Sequence, residues 1–133
     1  MTGLQIGVAI KSALSASTAL TEAVGTKVFP IVSKEGTSYP FIVYRRNGLE
    51  TSYTKDGRAS ETVNVDIVVA ANSYAQSISI ADMVRDAIDG KGFIYTGTGG
   101  TLTVRDCQLT SADEEFFEDS NVYTQTLNFN LFI

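Results

Sequence analysis

The sequence predicts an α+β fold: a single domain with a mainly antiparallel, twisted sheet and two helices packed on one face. Two stretches carry apolar residues at helical spacing, and the other apolar runs alternate with polar residues as half-buried strands do. The predicted order is helix, strands, helix, strands, without the βαβ alternation of parallel sheets. The 133 residues suit one domain, and no linker or repeat divides them.

The first helix is predicted between Leu4 and Val24, where apolar residues recur at roughly helical spacing. Thr2 is placed to cap its start, and Gly25 is a residue at which helices commonly stop. A β-branched and aromatic run from Lys27 to Val32 then predicts a short strand. Ser33 to Tyr39 is typical of a polar loop.

One long bent hairpin is predicted from Phe41 to Ala71, because alternating valine and isoleucine follow a turn signal at Asp56-Gly57. Asn47-Gly48 offers a tight turn or a bulge, and the bulge is preferred because it keeps the hairpin continuous. The polar segment from Glu50 to Ser60 is expected to form the tip.

The second helix is predicted to begin after Ser73, which has Gln76 at the spacing of a capping box, and to end at Gly90. Its apolar face is expected to consist of Tyr74, Ile78, Ala81, Val84 and Ile88.

The remaining elements are predicted to be strands. Phe93 to Tyr95 and Leu102 to Leu109 form a second hairpin around the glycine-rich turn from Gly97 to Gly100. Asp113 to Asp119 is expected to be an acidic connecting loop. The chain then ends in an alternating, half-buried strand that reaches Ile133.

Charge and composition argue against several classes of function. A net charge of -5 and an isoelectric point near 4.6 give no attraction for phosphate backbones, so tight nucleic-acid binding is not expected. The first apolar stretch is too polar for a membrane span and lacks the start of a signal peptide, so we expect synthesis and assembly in the cytoplasm.

Catalytic chemistry finds no support in the sequence, and we expect no enzyme, no cofactor and no bound metal. Cys107 is the only cysteine and the chain has no histidine to activate it, which favours a semi-buried strand cysteine. The turn from Gly97 to Gly100 is followed by a strand instead of the helix that a phosphate-binding loop needs, which favours a hairpin tip.

Two charged stretches are candidate interaction surfaces. The hairpin stretch either contacts an acidic partner or is an ordinary solvated strand, and its residues are Arg45, Arg46, Tyr53, Lys55 and Arg58. The acidic stretch is a subunit interface, a solvated loop or, less favoured, a site for a hard cation, and its candidate interface residues are Glu114, Glu115, Phe116, Glu118 and Asp119.

The order and spacing of motifs along nearly the whole chain resemble the tail terminator or tail completion proteins of siphophages. The carrying features are a helix with Leu14, Leu20 and Val24 before Gly25, Lys27-Val28-Phe29-Pro30, Tyr39-Pro40-Phe41-Ile42-Val43-Tyr44, the run from Val63 to Val69, Ser73-Tyr74-Ala75 opening a helix through Val84, Ala87 and Ile88, Phe117-Glu118-Asp119, and the run from Thr126 to Asn130.

The resemblance implies a structural virion protein that forms a ring, expected to be a hexamer, on the last ring of the tail tube. Such a ring stops tube polymerisation and joins the tail to the head, so the implied partners are other copies of the chain, the tail tube protein and the head-tail connector protein. The implied location is the host cytoplasm during assembly and then the virion tail.

A head-to-tail ring needs two complementary surfaces per subunit, and we pair the hairpin stretch with the acidic stretch as a hypothesis. Two other functions remain open: another neck or connector ring protein, and a small ligand-binding α+β module.

Overall fold

The computed structural model describes the whole chain, from Met1 to Ile133. Its helices are a 3-10 turn at Gly3–Gln5, α1 at Ile6–Ser15, α2 at Thr18–Val24 and α3 at Tyr74–Ile88. Its strands are β1 at Val28–Pro30, β2 at Phe41–Thr54, β3 at Gly57–Ala71, β4 at Phe93–Gly97, β5 at Gly100–Val104, β6 at Asp106–Phe117 and β7 at Val122–Phe132.

The main sheet has five strands in the order β1-β2-β3-β7-β6, and every pair is antiparallel except β1 with β2. One face of this sheet and the helices enclose the core, to which β3 contributes every second residue from Val63 to Val69. The opposite face, here called the open face, carries the alternate residues. The predicted α+β class with a mainly antiparallel sheet is confirmed.

The prediction of a single first helix is wrong, because the segment from Leu4 to Val24 contains two helices, α1 and α2. The hydroxyl oxygen of Ser17 accepts the backbone N–H of Leu20 at 3.3 Å, so Ser17 caps a new helix instead of continuing the first. Thr2 caps the 3-10 turn, with Gln5 as the reciprocal partner. Gly25, with φ of 62°, follows α2 as predicted.

The second helix begins at the predicted cap, since Ser73 accepts the backbone N–H of Gln76, but its buried face is rotated from the predicted one. Tyr74 and Ile78 are exposed, whereas Ser77 is fully buried. The Ser77 hydroxyl donates to the Tyr74 carbonyl at 2.7 Å and accepts from Gln125 at 3.3 Å. These bonds satisfy the buried hydroxyl, so a polar side chain can lie in the buried face of the helix, which was expected to be apolar.

The long hairpin is confirmed, with a register shift between Arg46 and Gly48 at the predicted bulge. The expected tip is wrong in extent, because pairing continues up to Thr54 and Gly57. Strand β3 pairs with β7 only from Thr62 onward. Residues 50–60, here called the arm, therefore project beyond the main sheet as a two-stranded ribbon. Glu61 still belongs to the body of the fold, since it accepts the backbone N–H groups of Ile133 and Gly3 at 2.9 Å.

The predicted strand from Leu102 to Leu109 is wrong, because the chain leaves one sheet and enters another at Arg105. Strand β5 pairs with β4 in a separate two-stranded sheet, and the Arg105 N–H donates to the Phe132 carbonyl at 2.7 Å. Val104 and Cys107 are both buried, and this three-residue step interrupts the alternation of a single strand.

The expected acidic loop is also wrong, because Asp113 to Phe117 extend β6 and only a short turn separates it from β7. Phe116 and Phe117 pair with Tyr123 and Val122. Aromatic residues favour strands, and here this preference outweighs that of the acidic neighbours for loops.

Candidate functional site

The two charged stretches lie toward opposite ends of the main sheet. Arg45 of β2 lies at the level of Ser111 of β6, as the residues paired in register across β3 and β7 show. The arm extends from that level toward one end, and the carboxylates from Asp113 onward extend toward the other. Within one chain the structure does not bring the two stretches together.

Arg45 and Arg46 point to opposite faces of β2. The Arg45 guanidinium donates to Asn47 at 2.6 Å on the open face, where Asn47 in turn donates to Asp66 at 2.6 Å. The Arg46 guanidinium donates to the Leu4 carbonyl at 2.9 Å and ties the N-terminal turn to β2. Arg46 thus has a structural role within the chain.

The outer part of the arm carries the other hairpin candidates. Tyr53 is 72% exposed and pairs in register with Arg58, while Lys55 lies in the turn between the strands. None of these residues forms an ion pair, since the chain has one ion pair, between Arg85 and Asp89. The arm is not basic as a whole, however, because Glu50 and Asp56 equal Lys55 and Arg58 in number.

The acidic segment, here defined as residues 113–119, lies on the outermost strand β6 and the turn after it. Phe116 and Phe117 are 45% and 46% exposed, on opposite faces of the strand. The outer edge of β6 has no partner strand. Exposed strand edges are sites at which a second chain can pair, and charged side chains control that pairing.

On the helix side of β6, Glu114 and aromatic residues form a small cleft of about 290 Å³. The Glu114 carboxylate accepts the Tyr74 hydroxyl at 2.9 Å and the Gln125 amide at 3.1 Å. The bond to Glu114 raises the pKa of Tyr74, because the carboxylate stabilises the protonated phenol. Tyr123 packs against Phe116 with ring centres 4.7 Å apart. Glu114 is therefore held in place.

A cleft of about 650 Å³ at the opposite edge of the sheet was not predicted from the sequence, and it is here called the lysine cleft. Lys11 of α1, Lys27 before β1 and Lys34 of the following loop line it. The Lys27 ammonium donates to the Ser38 carbonyl at 3.1 Å. These lysines are far apart in the sequence and no periodic pattern links them, so only the fold identifies the cleft.

Two exposed apolar residues, Ile31 and Val32, follow β1 next to the lysine cleft, and each is 71% exposed. Ile31 has φ of 67°, which is unusual for a β-branched residue. Its backbone N–H donates to the Tyr44 carbonyl at 2.8 Å, which fixes the chain there. The edge of the sheet at β1 therefore presents both apolar and positively charged side chains.

A network of amide side chains covers the centre of the open face and was also not predicted. Asn64, Asn128 and Asn130 are linked across β3 and β7, and Asp66 accepts from Asn128 at 2.6 Å. The signal in the sequence is the alternation of these residues with buried apolar ones. The face is polar and, at its centre, carries few charges.

Cys107 is fully buried, deeper than the semi-buried position expected for it. Burial, reinforced by nearby carboxylates, raises the pKa of its thiol to about 12. The turn at Gly97 to Gly100 joins β4 to β5, as predicted. No three histidine, cysteine or acidic side chains meet in an arrangement that could hold a metal ion, and no helix has the length and apolarity needed to cross a membrane.

Comparison with known proteins points to one family. The family model described as "Tail completion protein gp17" matches residues 8–133. Among solved structures, a chain described as "Virion of native gene transfer agent (GTA) particle" has a similar fold, with a TM-score of 0.78 and 17% identity. The similarity covers 96% of this chain and 92% of that chain. No curated protein matches the sequence.

Proposed function

This chain belongs to the family of tail completion protein gp17, and we propose that it caps the head-proximal end of a tail tube. In this role it stops polymerisation of the tube and joins the tail to the head. The family match over residues 8–133 carries the proposal, since it spans almost every element of the fold. A structural tail protein acts through its surfaces, so the relevant features are edges, projections and charge.

The proposed assembly is a ring of identical subunits, expected to be a hexamer. A closed head-to-tail ring requires two different surfaces on each subunit that fit one another. The main sheet ends in two different edges, β1 with the open part of β2 on one side and β6 on the other. We propose that these two edges are the surfaces that meet in the ring.

The arm is the proposed contact with the tail tube protein. It projects beyond the sheet, and its exposed Tyr53 lies opposite Arg58. Tyrosine and arginine are enriched in the energetically important parts of protein interfaces. The head-tail connector protein is the proposed partner on the other side of the ring.

The open face is the surface that we assign to passing DNA. Its centre consists of amides that are already bonded to one another. The Arg45 guanidinium on this face is linked through Asn47 to the Asp66 carboxylate, which balances its charge. A wall without excess positive charge does not hold phosphate groups, which suits a conduit better than a binding site. Assembly is proposed to occur in the host cytoplasm, after which the protein remains in the virion tail.

An add-back experiment tests the proposed function. Lysate of a phage or particle producer that lacks this gene supplies unjoined heads and tails, and the purified chain is added to it. We expect joined particles to form in proportion to the added chain until the tails are saturated. If the addition leaves heads and tails unjoined although the chain is folded, the joining role is wrong.

A further inference from the structure

We propose that the acidic segment of one subunit docks on the lysine cleft and the β1 edge of the next subunit in the ring. This inference rests on the proposed ring, and it names the two surfaces that meet within it. The partner is a second copy of this chain, in head-to-tail contact.

The two surfaces lie at the same level of the sheet. The residues that face one another in register lead from Asp113 across β7, β3 and β2 to Phe29 of β1. In the same way Glu114 leads to Val28. A neighbour related by rotation about an axis roughly along the strands keeps this level. Its acidic segment therefore faces the β1 edge, where the lysine cleft begins at Lys27.

Strand directions fit this contact. Strands β1 and β2 run in one direction, and β3, β7 and β6 then alternate, so β6 runs opposite to β1. A neighbouring β6 consequently approaches β1 as an antiparallel strand. Because β1 has only three residues, from Val28 to Pro30, side chains carry most of the contact.

The two surfaces carry opposite charges, and neither surface finds an ion-pair partner within its own chain. Lys11, Lys27 and Lys34 form no ion pair, and neither does any carboxylate of the acidic segment. Opposite charges on facing patches speed association and fix orientation. The arm is a weaker candidate as the partner of the acidic segment, because its carboxylates equal its cations in number and it lies toward the other end of the sheet.

Exposed apolar side chains match as well. Ile31 and Val32 stand beside the lysine cleft, and Phe116 and Phe117 stand within the acidic segment. Lys34 and Glu35 follow Ile31 and Val32, whereas Glu115 and Glu118 flank the two phenylalanines. Apolar residues surrounded by polar ones are typical of protein interfaces.

Disulfide trapping tests the contact in assembled particles. The double variant Lys34→Cys with Glu115→Cys introduces one thiol on each surface, and the control pair is Arg58→Cys with Glu115→Cys. The native Cys107 contributes little background because it is fully buried and its pKa is about 12. Under mild oxidation we expect a ladder of covalent multimers from the Lys34 pair and monomers from the Arg58 pair.

The opposite pattern, multimers from the Arg58 pair alone, overturns the inference and leaves the ring intact. Monomers from both pairs in particles that join normally also overturn it. Failure of the proposed function looks different, because particles without this gene would then join normally.

Charge exchange gives an independent test that needs no oxidation. Lys27→Glu with Lys34→Glu should lower the number of joined particles at least tenfold, and adding Asp113→Lys with Glu115→Lys should restore most of the loss. Combining Lys55→Glu and Arg58→Glu with Asp113→Lys and Glu115→Lys should not restore joining. Rescue of the arm variant in place of the cleft variant would overturn the inference.

Discussion

Asn64 and Asn128 exchange two side-chain hydrogen bonds across β3 and β7, at 2.9 and 3.0 Å, each amide nitrogen donating to the other's oxygen. Asn128 also donates to Asp66 at 2.6 Å and accepts the Thr110 hydroxyl at 2.6 Å. Asn128 thus links β3, β7 and β6 on the open face. The donors of both asparagines are used within the sheet, which leaves few free to hold a phosphate group.

Asn128→Asp should destabilise the fold by about 1–3 kcal/mol, because it removes two donors and places a carboxylate beside Asp66. Asn130→Asp is the matched control, since Asn130 only accepts from Asn64 and a carboxylate can still accept. Urea unfolding at pH 7 measures both variants. Equal losses for the two would show that the donors of Asn128 are unimportant.

Asp89→Asn should lower the free energy of unfolding by about 1 kcal/mol at pH 7. The Leu109 N–H, at 2.9 Å, and the Arg85 guanidinium, at 3.1 Å, lower the pKa of Asp89. Because the pKa of this carboxyl is lower in the folded state than in the unfolded state, the charged form adds to the free energy of unfolding above the unfolded-state pKa. This contribution is lost as the pH falls through the folded-state pKa. The difference from the native chain should therefore shrink below about pH 4.

Asp86→Asn serves as the control for this pH dependence, because the Asp86 side chain lies on the same helix and makes no hydrogen bond. Thermal unfolding between pH 2 and 8 measures both variants. A loss in Asp89→Asn that persists unchanged at pH 2 would mean that charge on Asp89 is not the cause.

Gly92→Ala should destabilise the fold by about 1–3 kcal/mol, because the added methyl group would lie 2.7 Å from the Arg105 carbonyl oxygen and 2.9 Å from that of Val104. Backbone atoms at this distance cannot move aside without disturbing the bend between β5 and β6. Gly48→Ala is the control, since its methyl group meets nothing within 4 Å. Similar unfolding midpoints for the two variants would contradict the close approach at Gly92.

Lys55→Glu with Arg58→Glu should reduce head-tail joining about tenfold, which corresponds to about 1.4 kcal/mol of binding. Both side chains are exposed and unpaired, so the unfolding temperature should stay nearly unchanged. Arg46→Gln, the control, should leave joining nearly unchanged. It should lower the free energy of unfolding by about 1 kcal/mol, because the bond to the Leu4 carbonyl is lost. Joining that is normal in the arm variant would remove the arm from the tail-tube contact.

The strands and the α3 cap were predictable because their signals are local. Alternation from Val63 to Val69 needs only the period of a strand, and Ser73 needs only a helix that begins after it. The break between α1 and α2 was missed because apolar spacing continues across it. There the local hydrogen bond from the Leu20 N–H to Ser17 decides the structure.

The candidate surfaces were less predictable, because they depend on which distant residues the fold brings together. Adjacent residues Arg45 and Arg46 looked like one patch, yet a strand places neighbours on opposite faces. The lysine cleft combines residues of a helix, a strand start and a loop. The acidic segment was recognised from its composition, but its position on the outermost strand follows from sheet order.

Electron microscopy of lysates that lack this gene tests the proposed role most directly, through the length of the tails and the fraction attached to heads. We predict overlong or unjoined tails, and repair of the joining defect when the purified chain is added. Tails of normal length that are attached to heads in its absence would contradict a role in tail completion.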